Sequence, residues 1–557
     1  MKYMKTKFLI LILGLAAILR LWNLGSIPPH LTPDEASLGY NAYSILKTGK
    51  DEYGTKLPII FKSFGDYKPG FYIYLAVPAV AALGLNEFAV RLPSALLGIL
   101  SIYLLFLIVR KLFNESLALA SAFVMTVMPW AIYFSRGAWE VNVALTLTLA
   151  GIYFFLKSLT RAKFVILSAI FFALTFLTYQ GAKLSTGIVV LLLVLIYWKD
   201  IVKYPLKQII FAGLCGFLVS LPIIISLFNG ATGRLTVFSI FSYPRPKEYT
   251  QVFLDQGGER IGDFNYYLFH SEALNFLRGI LGRWFNHFSG RFLFFEGDWS
   301  NPRHSAPYQG MLILSDLILL ILGFVALVRY KGKKSAAFIW LWLILAPLPA
   351  ALSRDAVHAV RALNTLVPMA VLLGFGLDAL FKKGRLAKII FGIVFLAAFI
   401  YFLDAYFVHL PKHNSKYWEY GYKQVVDTIT PIQGNYKKIK VQQSFAQPYI
   451  YFLFYGGDGY SGGDGYTQGY DPAKYQKQAN LIESEYKGDV GYVVKLDNIE
   501  FVPIDWSVNR GEHGVLFVAD TIRIPPQDSK DENLFKIIAE IKYLDGFNTA
   551  FRILEVK

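Results

Sequence analysis

The chain has 557 residues, of which 55% are hydrophobic and only 17% charged, and a formal net charge of +16. A soluble protein of this length carries more charge, so the composition excludes one and points to a polytopic membrane protein. The surplus of Lys and Arg belongs to cytoplasmic loops and calls for no nucleic acid, and the single cysteine, Cys215, excludes an internal disulfide or a cysteine-based metal site.

Lys2, Lys5 and Lys7 precede an apolar run at 8–19, as in a signal peptide. No small-x-small cleavage site follows, so an uncleaved first helix is expected. Apolar runs near 8–24, 91–109, 117–135, 140–156, 164–180, 184–198, 208–228, 310–328, 336–352, 362–380 and 387–407 predict about eleven helices long enough to cross a membrane. The charges between them set the topology. Every second turn is basic: Arg110 and Lys111; Lys157, Arg161 and Lys163; Lys199, Lys203 and Lys207; Arg329, Lys331, Lys333 and Lys334; Lys382, Lys383, Arg385 and Lys388. These turns face the cytoplasm by the positive-inside rule, which puts the N-terminus inside. The apolar stretch 71–85, broken by Pro78, would invert all later turns if it spanned. It is therefore expected to lie in or against the interface.

The outer face then receives a loop at 25–90, a second at 229–309, a short turn at 353–361 and the C-terminus. Residues 1–410 form the expected transmembrane domain. Residues 411–557 are polar and Tyr-rich and form an expected extracytoplasmic α/β domain. In that domain residues 415–430 read as helix, and 437–445, 449–455, 490–496, 514–519 and 547–556 read as strands. The repeat Gly-Gly-Asp-Gly-Tyr at 456–460 and 462–466 reads as a flexible glycine loop or as a tyrosine-bearing loop that touches a sugar or an acceptor.

The stretch Thr32-Pro33-Asp34-Glu35-Ala36 places two adjacent carboxylates just after the first apolar run. Two readings are open. The pair can cap a helix that starts at Thr32 and Pro33, or it can form a site that needs a partner cation or proton. Asp66-Tyr67-Lys68-Pro69-Gly70, on the same outer loop, adds a point cation suited to a phosphate. Arg136, Glu140 and Asn142 stand at an outer turn. Arg303 lies in the loop Glu296–His304, and His358 and Arg361 in the turn 353–361. Taken singly, each is an ordinary loop residue. Together they gather acids and spaced cations on one face, which suits an anionic lipid-linked substrate and a hydroxyl or amine acceptor.

In chain order the sequence resembles the polytopic GT-C glycosyltransferases of the protein O-mannosyltransferase and aminoarabinose transferase type, over about residues 8–405. The resemblance rests on Arg20-Leu21, Asp34-Glu35, Lys68-Pro69, Arg91-Leu92-Pro93-Ser94-Ala95, Ser135-Arg136 with an acid soon after, and His358 with Arg361. It implies an integral membrane glycosyltransferase that moves a sugar from a polyprenyl-phosphate donor to a protein, lipid or glycan at the outer face, with inversion. It implies that Asp34 is the catalytic carboxylate with Glu35 in support, that Lys68, Arg361 and Arg303 hold the donor phosphate, and that Tyr67, Arg136, Glu140, Asn142 and His358 assist. A divalent cation is a further implied partner, with Asp34 and Glu140 as candidate ligands. Here the chain departs from the pattern. Relatives often carry Lys-Pro-Pro where Lys68-Pro69-Gly70 stands, and an Asp where Glu140 and Asn142 stand. Tyr67 cannot ligate as a carboxylate would. The alternative function is a transporter or flippase of lipid-linked sugars, which predicts inverted repeats; none is visible in the sequence.

Overall fold

A computed structural model describes residues 2–64, 66–228, 239–444, 446–457, 469–477, 493–527 and 529–557. The start of the second outer loop at 229–238, the glycine repeat from Asp458 on and the first residues of the strand expected at 490–496 lie outside the described residues. The chain divides into two compact units. One comprises Met1–Ala16, Gly98–Phe134 and Val141–Phe402, the other Ala17–Leu97, Ser135–Glu140 and Leu403–Lys557.

Each expected span contains helix. Among the described residues seven helices are long and apolar enough to cross a membrane: Glu87–Leu112, Glu140–Ser158, Ala182–Ile201, Leu206–Ser226, Lys333–Ala351, Leu363–Phe381 and Arg385–Trp418. The chain is a multi-pass membrane protein. Helix Phe71–Leu83 has 13 residues. At ~1.5 Å per residue it reaches about 20 Å, short of a hydrocarbon core of about 30 Å, so it does not span upright.

Within the first unit, helix Leu366–Phe381 is buried along most of its length, whereas Leu206–Phe228 is largely exposed, as a lipid-facing helix is. Helices Asp316–Val328 and Leu366–Phe381 meet backbone to backbone. A Cβ on Gly376 would lie 2.0 Å from the Leu319 carbonyl oxygen, and one on Gly323 would lie 2.0 Å from that of Leu372. Glycine is required where two membrane helices approach this closely.

Within the second unit, strands β1 (Ile60–Ser63) and β2 (Asp66–Pro69) form an antiparallel hairpin that pairs Phe61 with Lys68. The C-terminal part holds a six-stranded mixed sheet. Its strands are β3 (Ile439–Gln442), β4 (Lys495–Leu496), β5 (Ile499–Val502), β6 (Leu516–Ala519), β7 (Phe535–Lys542) and β8 (Thr549–Val556), in the order β4-β5-β3-β6-β8-β7. β3 runs parallel to both β5 and β6, and the other pairings are antiparallel. An α/β domain is therefore present, with three corrections to its elements. Residues 449–455 are not a strand but the helix Tyr449–Tyr455, buried throughout. Strands β5 and β7 were not legible at all. The expected helix over 415–430 divides into a 3-10 turn, Ser415–Trp418, and the helix Tyr422–Ile429.

Candidate active site

The helix Pro33–Thr48 organises the second unit. Thr32 is its N-cap, Pro33 occupies the first turn, and Thr32 and Glu35 close a reciprocal capping box. The Glu35 amide donates to Thr32 Oγ1 at 3.2 Å, and the Thr32 amide donates to Glu35 Oε2 at 2.9 Å. The capping reading is thus correct for Glu35, and the structure adds to it. Arg91 Nε donates to Glu35 Oε1 at 3.0 Å, and the Ala138 amide donates to the same oxygen at 2.8 Å. Both partners are buried, with side-chain exposures of 0% for Arg91 and 3% for Glu35. The rest of the Arg91 guanidinium donates to the carbonyls of Leu24, Pro28 and His30. One buried ion pair therefore locks the loop before the helix to the start of helix Glu87–Leu112. Such a pair is tolerable only because every polar atom is engaged.

Asp34 is the opposite case. The helix turns its side chain outward, 61% exposed, where it forms an ion pair with the Lys68 ammonium. Lys68 comes from β2 with its stem buried, and its ammonium lies 5.1 Å from the centre of the Phe64 ring. A buried stem with the charge at its tip is how lysine presents a fixed cation at a surface. Tyr67, next to it, points outward and is 44% exposed.

Arg136 is fully buried. It donates to the carbonyls of Leu19, Trp22 and Ile27 at 2.7–3.0 Å and lies over Phe407 and Tyr406. Its guanidinium fastens backbone. Glu140 opens helix Glu140–Ser158, and Asn142 is buried in its first turn. Among the remaining residues named from sequence, Arg361 pairs with Asp355 at 2.7 Å. Arg303 leans on the Asn301 side chain. His358 accepts the Arg361 amide on Nδ1 at 3.3 Å. Thus Asp34, Glu35, Lys68, Tyr67, Arg136 and Glu140 belong to the second unit, and Asn142, Arg303, His358 and Arg361 to the first.

Several groups at this site escaped the sequence reading. Arg91 was visible only as part of a motif. Glu52 is buried against helix Pro33–Thr48, where the Asn41 amide donates to its Oε1 at 3.2 Å and its own amide donates to Asn41 Oδ1 at 3.0 Å. Burial pushes its carboxyl up to about 8, against the Asn41 hydrogen bond, with Asp51 adding to the rise and Lys68 opposing it. Burial thus favours its protonated form. His30 is held neutral in the same way, since burial pushes it down to about 4. Its Nδ1 donates to the Leu31 carbonyl, and its Nε2 accepts the Lys423 amide at 3.3 Å. With the hydrogen bond from the Tyr451 hydroxyl to the Leu31 carbonyl, these contacts join residues of the C-terminal part to the loop that carries Asp34. A cleft of about 480 Å³ opens there, lined among others by His30, Glu87, Tyr420, Lys423 and Gln424.

A cation at Asp34 finds little support in these residues. Lys68 already supplies a positive charge to the carboxylate, and Tyr67 brings no second one. Among the described residues, the three-ligand group that could hold an ion is Asp298, His304 and His358, which includes neither Asp34 nor Glu140.

Solved structures with the same architecture are known. The chain is similar to ArnT from Cupriavidus metallidurans in the apo state, with 12% identity and a TM-score of 0.55, over 99% of this chain and 97% of that one. It is similar to the same protein bound to undecaprenyl phosphate, with 12% identity and a TM-score of 0.54, over 99% and 98%. A comparison with curated proteins finds no match. The fold and the spans define a polytopic membrane protein of the GT-C glycosyltransferase fold, with a C-terminal sheet-containing domain, as expected. Within it, residues 68–225 match the family described as dolichyl-phosphate-mannose-protein mannosyltransferase, so the resemblance read from the sequence holds.

Proposed function

We propose that this protein transfers a sugar from a polyprenyl-phosphate donor to a nucleophile on a protein, lipid or glycan, by a single inverting displacement at the outer face of the membrane. One observation carries the reading. Of two adjacent carboxylates, Glu35 is consumed by structure, whereas Asp34 is presented to solvent against a lysine with a buried stem. The family match over residues 68–225 and the undecaprenyl phosphate bound by ArnT support a polyprenyl-phosphate donor. The alternation of basic turns supports an outer-face site.

The roles follow from the chemistry. Asp34 accepts the proton of the attacking hydroxyl or orients it. Lys68 takes the donor phosphate, exchanging its ion pair with Asp34 for one with the leaving group, and stabilises the charge that grows there. Within the same unit Glu35 and Arg136 hold the backbone around the pair, and Tyr67 and Glu140 support it. Holding donor and acceptor together contributes at best about 7–11 kcal/mol of the barrier. The C-terminal part, which shares the cleft at His30, selects the acceptor.

The test is full-length protein in detergent or vesicles with a panel of polyprenyl-phosphate sugars and acceptors, followed by mass spectrometry. Glycosylated product with stoichiometric release of polyprenyl phosphate is expected. Movement of intact donor across the membrane without such release would support a flippase and overturn the reading.

A further inference from the structure

The first unit contains a second polar cluster to which the proposed reaction assigns no chemistry. Asp298 and His304 lie in the loop ahead of helix Asp316–Val328, and His358 lies in the turn ahead of helix Leu366–Phe381. One ligand atom from each comes within 4.8 Å of the others. Asp298 is 1% exposed and His304 4%. His304 Nδ1 and Asp298 Oδ2 are 2.7 Å apart, within hydrogen-bond distance. The His304 and His358 rings face each other at 5.3 Å between centroids.

The surroundings hold this cluster rigid. The Ala359 amide donates to Asp298 Oδ2 at 2.8 Å, and the Asn301 amide donates to Asp298 Oδ1 at 3.1 Å. The His358 amide donates to His287 Nε2, and His287 Nδ1 donates to the Arg283 carbonyl at 2.7 Å. The Trp130 indole donates to the Ala359 carbonyl, and the Ala306 amide donates to the Tyr133 hydroxyl. Loop and turn are thus fastened on both sides of the three side chains.

We propose that Asp298, His304 and His358 hold one divalent transition-metal ion, of which zinc is the best fit. Two imidazoles and one carboxylate are a zinc-type donor set, and oxygen-seeking calcium or magnesium is disfavoured by it. The ion takes the place of the contact between His304 and Asp298. Bond lengths of ~2.0–2.2 Å put tetrahedral ligands about 3.4 Å apart, so the 4.8 Å group closes by little more than an ångström. Three protein ligands leave a fourth position for water. The ion braces the loop against the turn and so fixes Arg303 and Arg361, which sit one and three residues from its ligands. The site stands on its own geometry and does not depend on the sugar-transfer reading.

The test is zinc content by mass spectrometry on full-length protein, purified in detergent, loaded with zinc and gel-filtered. About one zinc per chain is expected in the wild type and in Asp34→Asn, with retention falling about tenfold or more in His358→Ala and Asp298→Asn. Wild-type protein that elutes without zinc overturns the proposal, as does equal zinc in His358→Ala. Should both variants misfold, X-ray absorption of the zinc-loaded wild type decides. Scattering from two imidazoles supports the site, and a spectrum without imidazole overturns it.

Discussion

Asp34 and Glu35 differ by one methylene and one position, yet their neutral isosteres should have opposite effects on stability. Glu35→Gln keeps the shape and keeps the capping box, since glutamine serves at that position as glutamate does. What it removes is the charge opposite Arg91, whose side chain is fully buried. The Arg91 guanidinium then faces only neutral acceptors, the carbonyls of Leu24, Pro28 and His30 and the glutamine oxygen. Those dipoles do not neutralise it. Breaking a buried pair from one side costs about 3–5 kcal/mol, a large share of a typical net stability of about 5–15 kcal/mol. Asp34→Asn removes one partner of an ion pair whose carboxylate is 61% exposed, for which about 0–1 kcal/mol is the expected scale. Thermal unfolding in detergent, followed by tryptophan fluorescence and by loss of the monodisperse gel-filtration peak, measures both. Glu35→Gln should unfold well below the wild type and Asp34→Asn close to it. The double variant Glu35→Leu, Arg91→Met, which removes both charges, should recover part of the loss. Glu35→Gln protein as stable as the wild type, or a double variant worse than the single, would refute the brace.

Three further expectations can be checked separately. Glu52 holds its proton in the folded chain up to about 8, against 4.5 ordinarily. A folded-state pKa raised for an acid means that stability falls as the pH rises from about 4.5 through 8, by on the order of 5 kcal/mol at 1.36 kcal/mol per unit; Glu52→Gln should flatten unfolding temperature against pH over that window, and an unchanged slope would remove Glu52 as its source. Lys68→Ala should raise the KM for the polyprenyl-phosphate donor more than that for the acceptor, and an equal rise in both in steady-state assays would argue against a phosphate role. Gly376→Ala forces a Cβ against the Leu319 carbonyl, 2.0 Å away, so the helices must part at a cost of about 1–3 kcal/mol; an unchanged unfolding temperature would refute a close backbone contact at Gly376.

Much of the membrane part was legible because apolar length is a strong signal. Runs such as 208–228 and 387–407 can do little else than span, and the basic residues between spans alternate plainly. The capping role of Glu35 was legible from Thr-Pro-Asp-Glu because the motif is local. Its pairing with Arg91 was not, since the two are joined only when distant segments fold together. The same holds for Asp298, His304 and His358, where the third ligand lies far along the chain and no spacing rule connects it to the others. The stretch Tyr449–Tyr455 misled for another reason. It is Tyr-Ile-Tyr-Phe-Leu-Phe-Tyr, aromatic or apolar at every position, so it favours a strand by propensity. Buried on all sides, it shows no period to contradict that. Strand β7, Phe-Lys-Ile-Ile-Ala-Glu-Ile-Lys, lacks a clean alternation because one side of its ladder is interrupted by register shifts.

On the proposed reading Asp34 acts on the acceptor nucleophile and Lys68 on the donor phosphate, while Glu35 and Arg91 hold the helix that carries Asp34. The most direct measurement is single-turnover transfer by Asp34→Asn protein, with donor binding measured on the same sample. Donor binding retained, with sugar transfer lost by several orders of magnitude, is the predicted result. Transfer at near wild-type rate by a variant that cannot accept the proton would contradict the account.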